Sequence, residues 1–380
     1  MGSDSTYESV VVPCGLNQSD CGYCKSKESS VSFGVIAKRL TCDVYQQMID
    51  RGWRRSGKYL YRPNLKESCC PAYTIRLDSS KFTPNKAQRK VVYKFQRFIV
   101  GTESKGSAPD VFNMIESLIK HPDFKVVLEK SAYSEEVFAL YKKYQINVHH
   151  DLENDITPES FKRFLVESPL KYETISGDNG SFELGSFHQK YYYKGQLIAV
   201  GVLDLLPACV SSVYFMYDID FAHLSLGKFS AMVETRLSIY LSKMLPSLKY
   251  YYMGFYIHSC PKMLYKGSYH PSYLVDPSTL DWVPFEECVK LLELAKAKRK
   301  NGFTCFSGGK DLDNPPISGF DDFFNAEDYD KMDAYLHGNV YCLGRLCKGL
   351  KDYPDLVETL QQTYVILGPE IAQRVLLCVQ

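Results

Sequence analysis

Long apolar runs are missing from this sequence. No stretch of 18 apolar residues occurs in its 380 positions, so no segment reads as a membrane-spanning helix. The N-terminus is polar and carries no apolar stretch of the kind a secretory signal needs, so no signal peptide is expected. Self-similarity with a period of roughly 20–50 residues is absent, which sets aside solenoids and propellers. The thirteen cysteines are odd in number and scattered, without the density of a small secreted scaffold. Thiols that are free or metal-bound, in a reducing compartment, are the expectation. At 45% apolar residues the chain can bury large cores, and its length suggests two or three domains.

Net charge is also small, at +1, but it hides an asymmetry. Residues 1–110 hold 18 Lys and Arg against 10 Asp and Glu; the remainder holds 27 against 34. A basic end suggests an anionic partner there, nucleic acid among others, although a solvated lysine surface gives the same count.

Local patterns give a coarse element order. TCDVYQQMIDRGW reads as a helix with Thr41 as N-cap and Gly52 past its end. The rest of the first 110 residues reads as short strands and turns, closed by a loop or linker at GTESKGSAPD (101–110). FKVVLE, from residue 124, reads as a strand. SEEVFALYKKYQINVHHD reads as a helix capped by Ser134, and TPESFKRFLVES as a helix with Thr157 as N-cap and Pro158 in its first position. ESPLKYETISGDNGSFELG reads as a mobile loop. FHQKYYY and QLIAVGVLD flank Lys194-Gly195 as a hairpin. SSVYFMYD predicts a strand, the stretch from LSLGK a helix, and KYYYMGFYI a further strand, so the sheet is mixed. PFEECVKLLELAKAKRK predicts an amphipathic helix stopped by Asn301-Gly302. Beyond it come an irregular stretch (303–320), an acidic one (321–333) and two or three closing helices.

Two cysteine pairs carry the first chemical signal. CGYC sets Cys21 and Cys24 at a spacing that lets two sulfurs reach one ion; the same spacing serves a redox pair. The other close pair is Cys69 and Cys70 in KESCCPAYTIR, where Pro71 is compatible with the bend that adjacent ligands need. Nearby Lys and Arg favour thiolates. Four sulfurs suit zinc or an iron–sulfur cluster, and four unrelated buried thiols are the plain alternative. Between the pairs, DRGWRRSGKYLYRP interleaves Arg51, Arg54, Arg55, Lys58 and Arg62 with Trp53, Tyr59 and Tyr61. That mixture suits an RNA strand, an arginine fork holding a carboxylate, or simply a polar strand edge.

CGYC, DRGWRRSGKYLYRP, CCPAYTIR, SEEVFALYKKYQINVHHD, FKRFL, YYYKGQLIAVGVLDLLP, SSVYFMYDIDFAHLSLGKFSAMVE and YYYMGFYIHSCPKMLYK together resemble the eukaryotic arginyl-tRNA–protein transferases. The resemblance runs from residue 21 to about 270, and the tail beyond 280 has no matching block. It implies transfer of arginine from its tRNA to the α-amino group of proteins beginning with Asp, Glu or oxidised Cys, which creates an N-terminal degradation signal. It further implies an acyltransferase half of the GNAT type and a metal, zinc or iron–sulfur, on Cys21, Cys24, Cys69 and Cys70. Cytoplasmic location, extending to the nucleus, and a monomer without membrane attachment accompany that expectation.

In a GNAT sheet two central parallel strands splay apart around the acyl donor, and the helix after the first offers its N-terminal amides to phosphate. SSVYFMYD, LSLGK and YYYMGFYI take those places, so Ser225, Gly227 and Lys228 become donor-binding candidates. Arginyl-tRNA is already an activated ester and needs no acyl-enzyme, which leaves little role for Cys209 or Cys260 as nucleophiles. Asp204, at the end of an apolar run, is the candidate catalytic base; its rival roles are a clamp on the donor guanidinium and a turn-forming residue. Asp218 and Asp220 share that ambiguity. Further substrate-binding candidates are Arg54, Arg55, Lys58, His188, Tyr192, Tyr252, Tyr256 and Lys262, each also readable as packing or solvated charge. The expected fold is α+β, with a cysteine-rich basic domain (1–118), a GNAT-like transferase domain with a mixed sheet (119–300) and an irregular and helical extension (301–380). A CoA-dependent acyltransferase and a non-catalytic metal- and RNA-binding adaptor stay open as rivals.

Overall fold

The computed structural model describes residues 7–101, 110–177, 180–298, 301–307 and 328–379. The fold is mixed α+β. The first segment gives strands β1 (Val10–Ser19) and β2 (Ser30–Arg39), helix α1 (Cys42–Asp50), and strands β3 (Arg54–Ser56), β4 (Tyr59–Pro63) and β5 (Tyr73–Asp78). Thr41 accepts the amide of Val44 and caps α1 as expected. A helix then appears where only short strands and turns were predicted, α2 (Lys86–Val100), and a further one, α3 (Val111–Ile119), in a stretch to which the sequence reading gave no element. In α2 the buried Val92, Phe95 and Ile99 recur at helical spacing, a stripe the sequence reading passed over.

The middle of the chain holds β6 (Phe124–Lys130), α4 (Glu135–Tyr144), α5 (Pro158–Phe161), β7 (Glu173–Gly177), β8 (Gly180–Tyr193), β9 (Gln196–Leu205), β10 (Cys209–Tyr217), α6 (Leu226–Leu241) and β11 (Tyr250–Tyr256). Ser134 and Thr157 cap their helices, and Lys194-Gly195 turns the β8–β9 hairpin with both residues at positive φ. Both α4 and α5 run on into π-helical turns, Gln145–His149 and Lys162–Val166. The segment predicted as a mobile loop is instead the β7–β8 hairpin, registered from Glu173 against Leu184 to Gly177 against Gly180. Helix α7 (Phe285–Lys298) follows β12 (Ser272–Val275) and β13 (Trp282–Pro284). The predicted linker at 101–110 and the irregular and acidic stretches at 303–333 lie largely outside the described residues.

The closing segment differs from the helical extension expected. Besides α8 (Leu343–Gly349), α9 (Pro354–Leu367) and α10 (Pro369–Ala372), it supplies β14 (Asp333–Leu336), β15 (Asn339–Cys342) and β16 (Leu376–Cys378). These complete a seven-stranded sheet in the order β15-β14-β16-β1-β2-β4-β3, with β16 parallel to β1. A nine-stranded sheet runs β13-β12-β5-β11-β10-β9-β8-β6, with β7 added on β8. Strand β5, from the first 118 residues, therefore lies inside the large sheet, and one hydrophobic core joins Phe33 and Trp53 to Leu203, Tyr252, Leu360 and Leu377. The chain passes from the smaller sheet to the larger between β4 and β5, well before residue 118, and returns between β13 and β14.

Strands β10 and β11 are parallel neighbours, paired only over Cys209–Ser211 and Tyr250–Tyr252. Past that point β10 stays with β9 and β11 with β5, so the two part towards their C-terminal ends.

Candidate active site

The cysteine pairs meet. Cys21 and Cys24 sit in the loop joining β1 to β2, and Cys69 and Cys70 in the loop joining β4 to β5. Their four Sγ atoms all lie within 4.8 Å of one another. Backbone bonds shape the first loop, Cys21 N–H to Ser26 and Lys25 N–H to Cys21; Cys69 N–H to Ser29 ties the second loop to it. The Tyr23 amide donates to the Cys21 sulfur at 3.4 Å, as backbone amides do around bound thiolates. Its hydrogen bond with Ser26 pulls the Cys24 thiol down to about 6, whereas burial pushes Cys69 and Cys70 up. This is a donor set that an ion satisfies, since four such thiols otherwise gain little from standing together.

Three hollows adjoin one another through shared lining residues. One of about 860 Å³ lies between β2, β4 and the two π-helical turns, and includes Lys58, Tyr59, His150 and Arg163. A second, about 310 Å³, shares Tyr59 with it and is walled by Tyr61, Tyr23 and Phe255. The third, about 650 Å³, shares Tyr23, Cys69 and Cys70 with the second and reaches Cys260. Together they form a groove with the cysteine cluster on its wall. The close approach of the β3–β4 turn to the π-helical turn Lys162–Val166 depends on Gly57, at φ +60, where a Cβ would fall 1.9 Å from the Arg163 carbonyl.

Cations gather beside this groove. Burial lowers the pKa of His149, with Lys262 and Lys25 among the neighbours adding to the effect; its ring stands 3.2 Å from the Tyr214 hydroxyl on β10. Arg54 is buried, donating to the carbonyls of Ile49, Trp53 and Gly254, and its guanidinium lies 4.9 Å from the centre of the Phe255 ring. Its Nε has no partner. Lys266 is buried too and donates to the Phe255 carbonyl at 2.7 Å; burial, with Arg54 nearby, brings it down to about 7. Neither forms a salt bridge among the described residues, and the Asp50 carboxyl feels the charge of Arg54. Lys266, which with Lys262 follows the strand carrying Phe255 and reads from sequence as a phosphate-neutralising or simply solvated lysine, is buried instead.

The other predicted residues separate into those that reach the groove and those that do not. Lys58 lines it, 3.7 Å from Glu167. Asp204 does not: it is fully buried, its Oδ1 and Oδ2 each 2.7 Å from Arg55 nitrogens, with Ser186 Oγ also donating to Oδ1. Asp204 and Arg55, expected as separate site residues, are each other's partner, and both carboxylate oxygens are held by Arg55 out of reach of solvent. His188 is buried with Nε2 on the Leu165 carbonyl, and burial lowers its pKa. The Tyr192 hydroxyl bonds Glu136; Tyr252 bonds Asp50; Tyr256 meets His258 Nδ1 at 2.9 Å. Ser225 begins α6 at positive φ, with Gly227 against Phe215 and Lys228 exposed; none of the three lines the groove. Asp218 and Asp220 hold Lys143. Cys209 is sealed in the core on Gln46, whereas Cys260 faces the groove.

Two family profiles match this chain, described as the arginine-tRNA-protein transferase N terminus, over residues 19–90, and C terminus, over 136–276. An arginyl-tRNA–protein transferase 1 from Drosophila melanogaster is 32% identical over 77% of this chain and 86% of its own length. The chain belongs to the arginyl-tRNA–protein transferase family. The family member from Saccharomyces cerevisiae is also 32% identical, over 71% of this chain and 56% of its own. An aspartate/glutamate leucyltransferase from Campylobacter jejuni is 27% identical over 68% and 90%. Among solved structures, the C-terminal domain of a putative lysylphosphatidylglycerol synthetase from Agrobacterium fabrum aligns with 50% of this chain and 48% of its own, at 10% identity and a TM-score of 0.26, too weak a likeness to bear on the fold. The N-terminal profile spans both cysteine pairs and the arginines, and the C-terminal profile spans β8 to β11. Both walls of the groove thus come from the segments that this transferase family shares.

Proposed function

We propose that this protein transfers arginine from arginyl-tRNA to the α-amino group of proteins that begin with Asp, Glu or oxidised Cys, marking them for N-degron-dependent degradation in the cytoplasm and nucleus. The observation that carries the acidic preference is the pair Arg54 and Lys266. Two buried basic groups that form no salt bridge stand behind Phe255, a wall of the groove, with the Asp50 carboxyl the counter-charge nearest Arg54 and none beside Lys266. A buried charge calls for a counter-charge. An acidic first side chain, carboxylate or oxidised thiol, supplies it.

The parting of β10 and β11 supports a GNAT-like reading of the large sheet, with the aminoacyl ester lying where the strands separate. The neutral α-amine attacks the ester carbonyl, a C–N bond forms, the C–O bond to the terminal ribose breaks, and the amine's proton ends on the released hydroxyl. No acyl-enzyme is needed, so the protein's part is to hold amine and ester together and to shield the developing oxyanion. As for the metal, a tetrahedron of thiolates about 2.3 Å from one zinc sets the sulfurs roughly 3.8 Å apart. Separations within 4.8 Å therefore favour a single ion such as zinc over a cluster that spreads its ligands. Cys21, Cys24, Cys69 and Cys70 would hold the ion, which would then tie together the two loops that wall the groove.

The test is incubation with charged arginyl-tRNA and peptides that differ only in their first residue, read by mass spectrometry. Arginine should appear on the Asp and Glu peptides and not on Ala or Lys peptides. Equal labelling of all four removes the acidic preference, and no labelling together with tight CoA binding supports the CoA-dependent rival.

A further inference from the structure

We infer that Tyr59, backed by Tyr61 and seated over Gly34, is the stacking platform for the unpaired 3′ bases of the aminoacyl-tRNA; this rests on the function proposed above. The two rings lie 6.2 Å apart at an interplanar angle of 16°, a parallel arrangement that neighbouring same-face positions of β4 allow. Gly34, across the ladder on β2, makes room for the arrangement. A Cβ there would sit 2.2 Å from the Tyr59 hydroxyl, so any larger residue would lift the ring off the strand. Tyr59 is only partly buried and borders both the 860 Å³ and the 310 Å³ hollows, so it stands where they join.

Charge around the platform is mixed, with Asp151, Asp155 and Glu167 in the same hollow as Lys58 and Arg163, and it is the lysines at the edge that can take phosphates. Lys58 adjoins it in the chain and lines the same groove, while Lys25 and Lys262 stand by His149. Bases stack on aromatic rings whatever their identity, and flanking cations take the phosphates. A peptide offers no flat face at each residue, and its acidic first side chain is served by Arg54 and Lys266.

Binding of uncharged tRNA to the full chain, measured by fluorescence anisotropy, tests this with two RNAs: intact, and lacking its unpaired 3′ nucleotides. Wild type should prefer the intact RNA. Tyr59→Phe keeps the ring and should retain that preference. Tyr59→Leu keeps apolar bulk without a π-face and should weaken binding of the intact RNA by about tenfold, leaving the truncated RNA unchanged. Its dependence on salt should stay as in wild type, whereas Lys58→Gln should lower that slope by about one. The inference is overturned if Tyr59→Leu retains the preference, if it weakens both RNAs equally, or if it weakens only acidic-peptide binding. Because no arginine transfer is read, failure of the peptide-labelling experiment would leave this outcome standing apart.

Discussion

Replacing Asp204 by Ala would leave the Arg55 guanidinium in the core with only the Ser186 hydroxyl at 3.2 Å and the Gly57 carbonyl at 3.4 Å. Two charge-assisted bonds of 2.7 Å disappear, and a buried cation loses its anion. Removing one partner of a buried pair costs about 3–5 kcal/mol, against a total stability of roughly 5–15 kcal/mol. The single variant should therefore unfold at a much lower urea concentration with an unchanged slope. The double variant Arg55→Met/Asp204→Leu removes both charges, so it should recover all but about 1–2 kcal/mol of the loss. Arginine transfer by the double variant then separates two roles. Recovered folding with recovered transfer makes the pair an anchor between β3 and β9. Recovered folding without transfer would restore the base or guanidinium clamp that the sequence suggested for Asp204. A single variant within about 0.5 kcal/mol of the parent, or a double variant no better than the single, would refute the reasoning from burial.

Changing Cys21 or Cys70 to Ala should release metal and loosen the two loops more than the large sheet; full metal retention by the quadruple variant at Cys21, Cys24, Cys69 and Cys70, measured by plasma emission, would end the single-site reading. Lys266 has a folded pKa of about 7, below that of an unfolded lysine, so the unfolded chain binds more protons between about pH 7 and 10 and stability should rise with pH across that window. An acidic peptide favours the charged amine, so its affinity should fall as pH rises through 7 more steeply for the parent than for Lys266→Met; identical profiles would remove Lys266 from the acceptor site. Glu234 is buried on α6, accepts the Tyr251 hydroxyl at 2.7 Å, and is pushed by burial up to about 7. Between its ordinary value and 7 the folded state binds the extra proton, so stability should fall as pH rises there. Glu234→Gln should stabilise the chain by on the order of 2–3 kcal/mol above pH 7 and by little at pH 4, as followed by chemical denaturation.

The features legible in the sequence are those fixed by a few neighbouring residues. Thr41, Ser134 and Thr157 each cap a helix through the amide three positions on, and Lys194-Gly195 turns a hairpin by its own backbone preference. The cysteine pairs were legible because thiols at close spacing are rare enough to suggest one another. Strands β7, β14 and β16 were not, since a short strand takes its identity from a partner far along the chain, as Leu376 does from Val10. The same distance hid the Arg55–Asp204 pair, 149 positions apart: each residue was a sensible site candidate, and only the fold shows that they neutralise one another. For His188 and Tyr252 residue type was informative and burial was not, because strand alternation does not say which face is covered by another sheet.

Aminolysis of an ester already activated on tRNA asks more for placement than for reactive groups, and the structure is built accordingly. The groups that line the groove are lysine, arginine and histidine, the carboxylates Asp151, Asp155 and Glu167, tyrosines and the cysteine-held loops. What the chain does supply is registration of one sheet against the other. Arg55 on β3 is tied to Asp204 on β9, Gly57 lets the β3–β4 turn press on the π-helical turn at Arg163, and β16 returns from the end of the chain to lie beside β1. Each joins a wall of the groove to a segment far away in sequence. A misplacement of about 1 Å between amine and ester can cost a hundredfold in rate. Burying a salt bridge and threading the tail through the first sheet are therefore understandable as means of holding two substrates in one geometry, even where neither touches them.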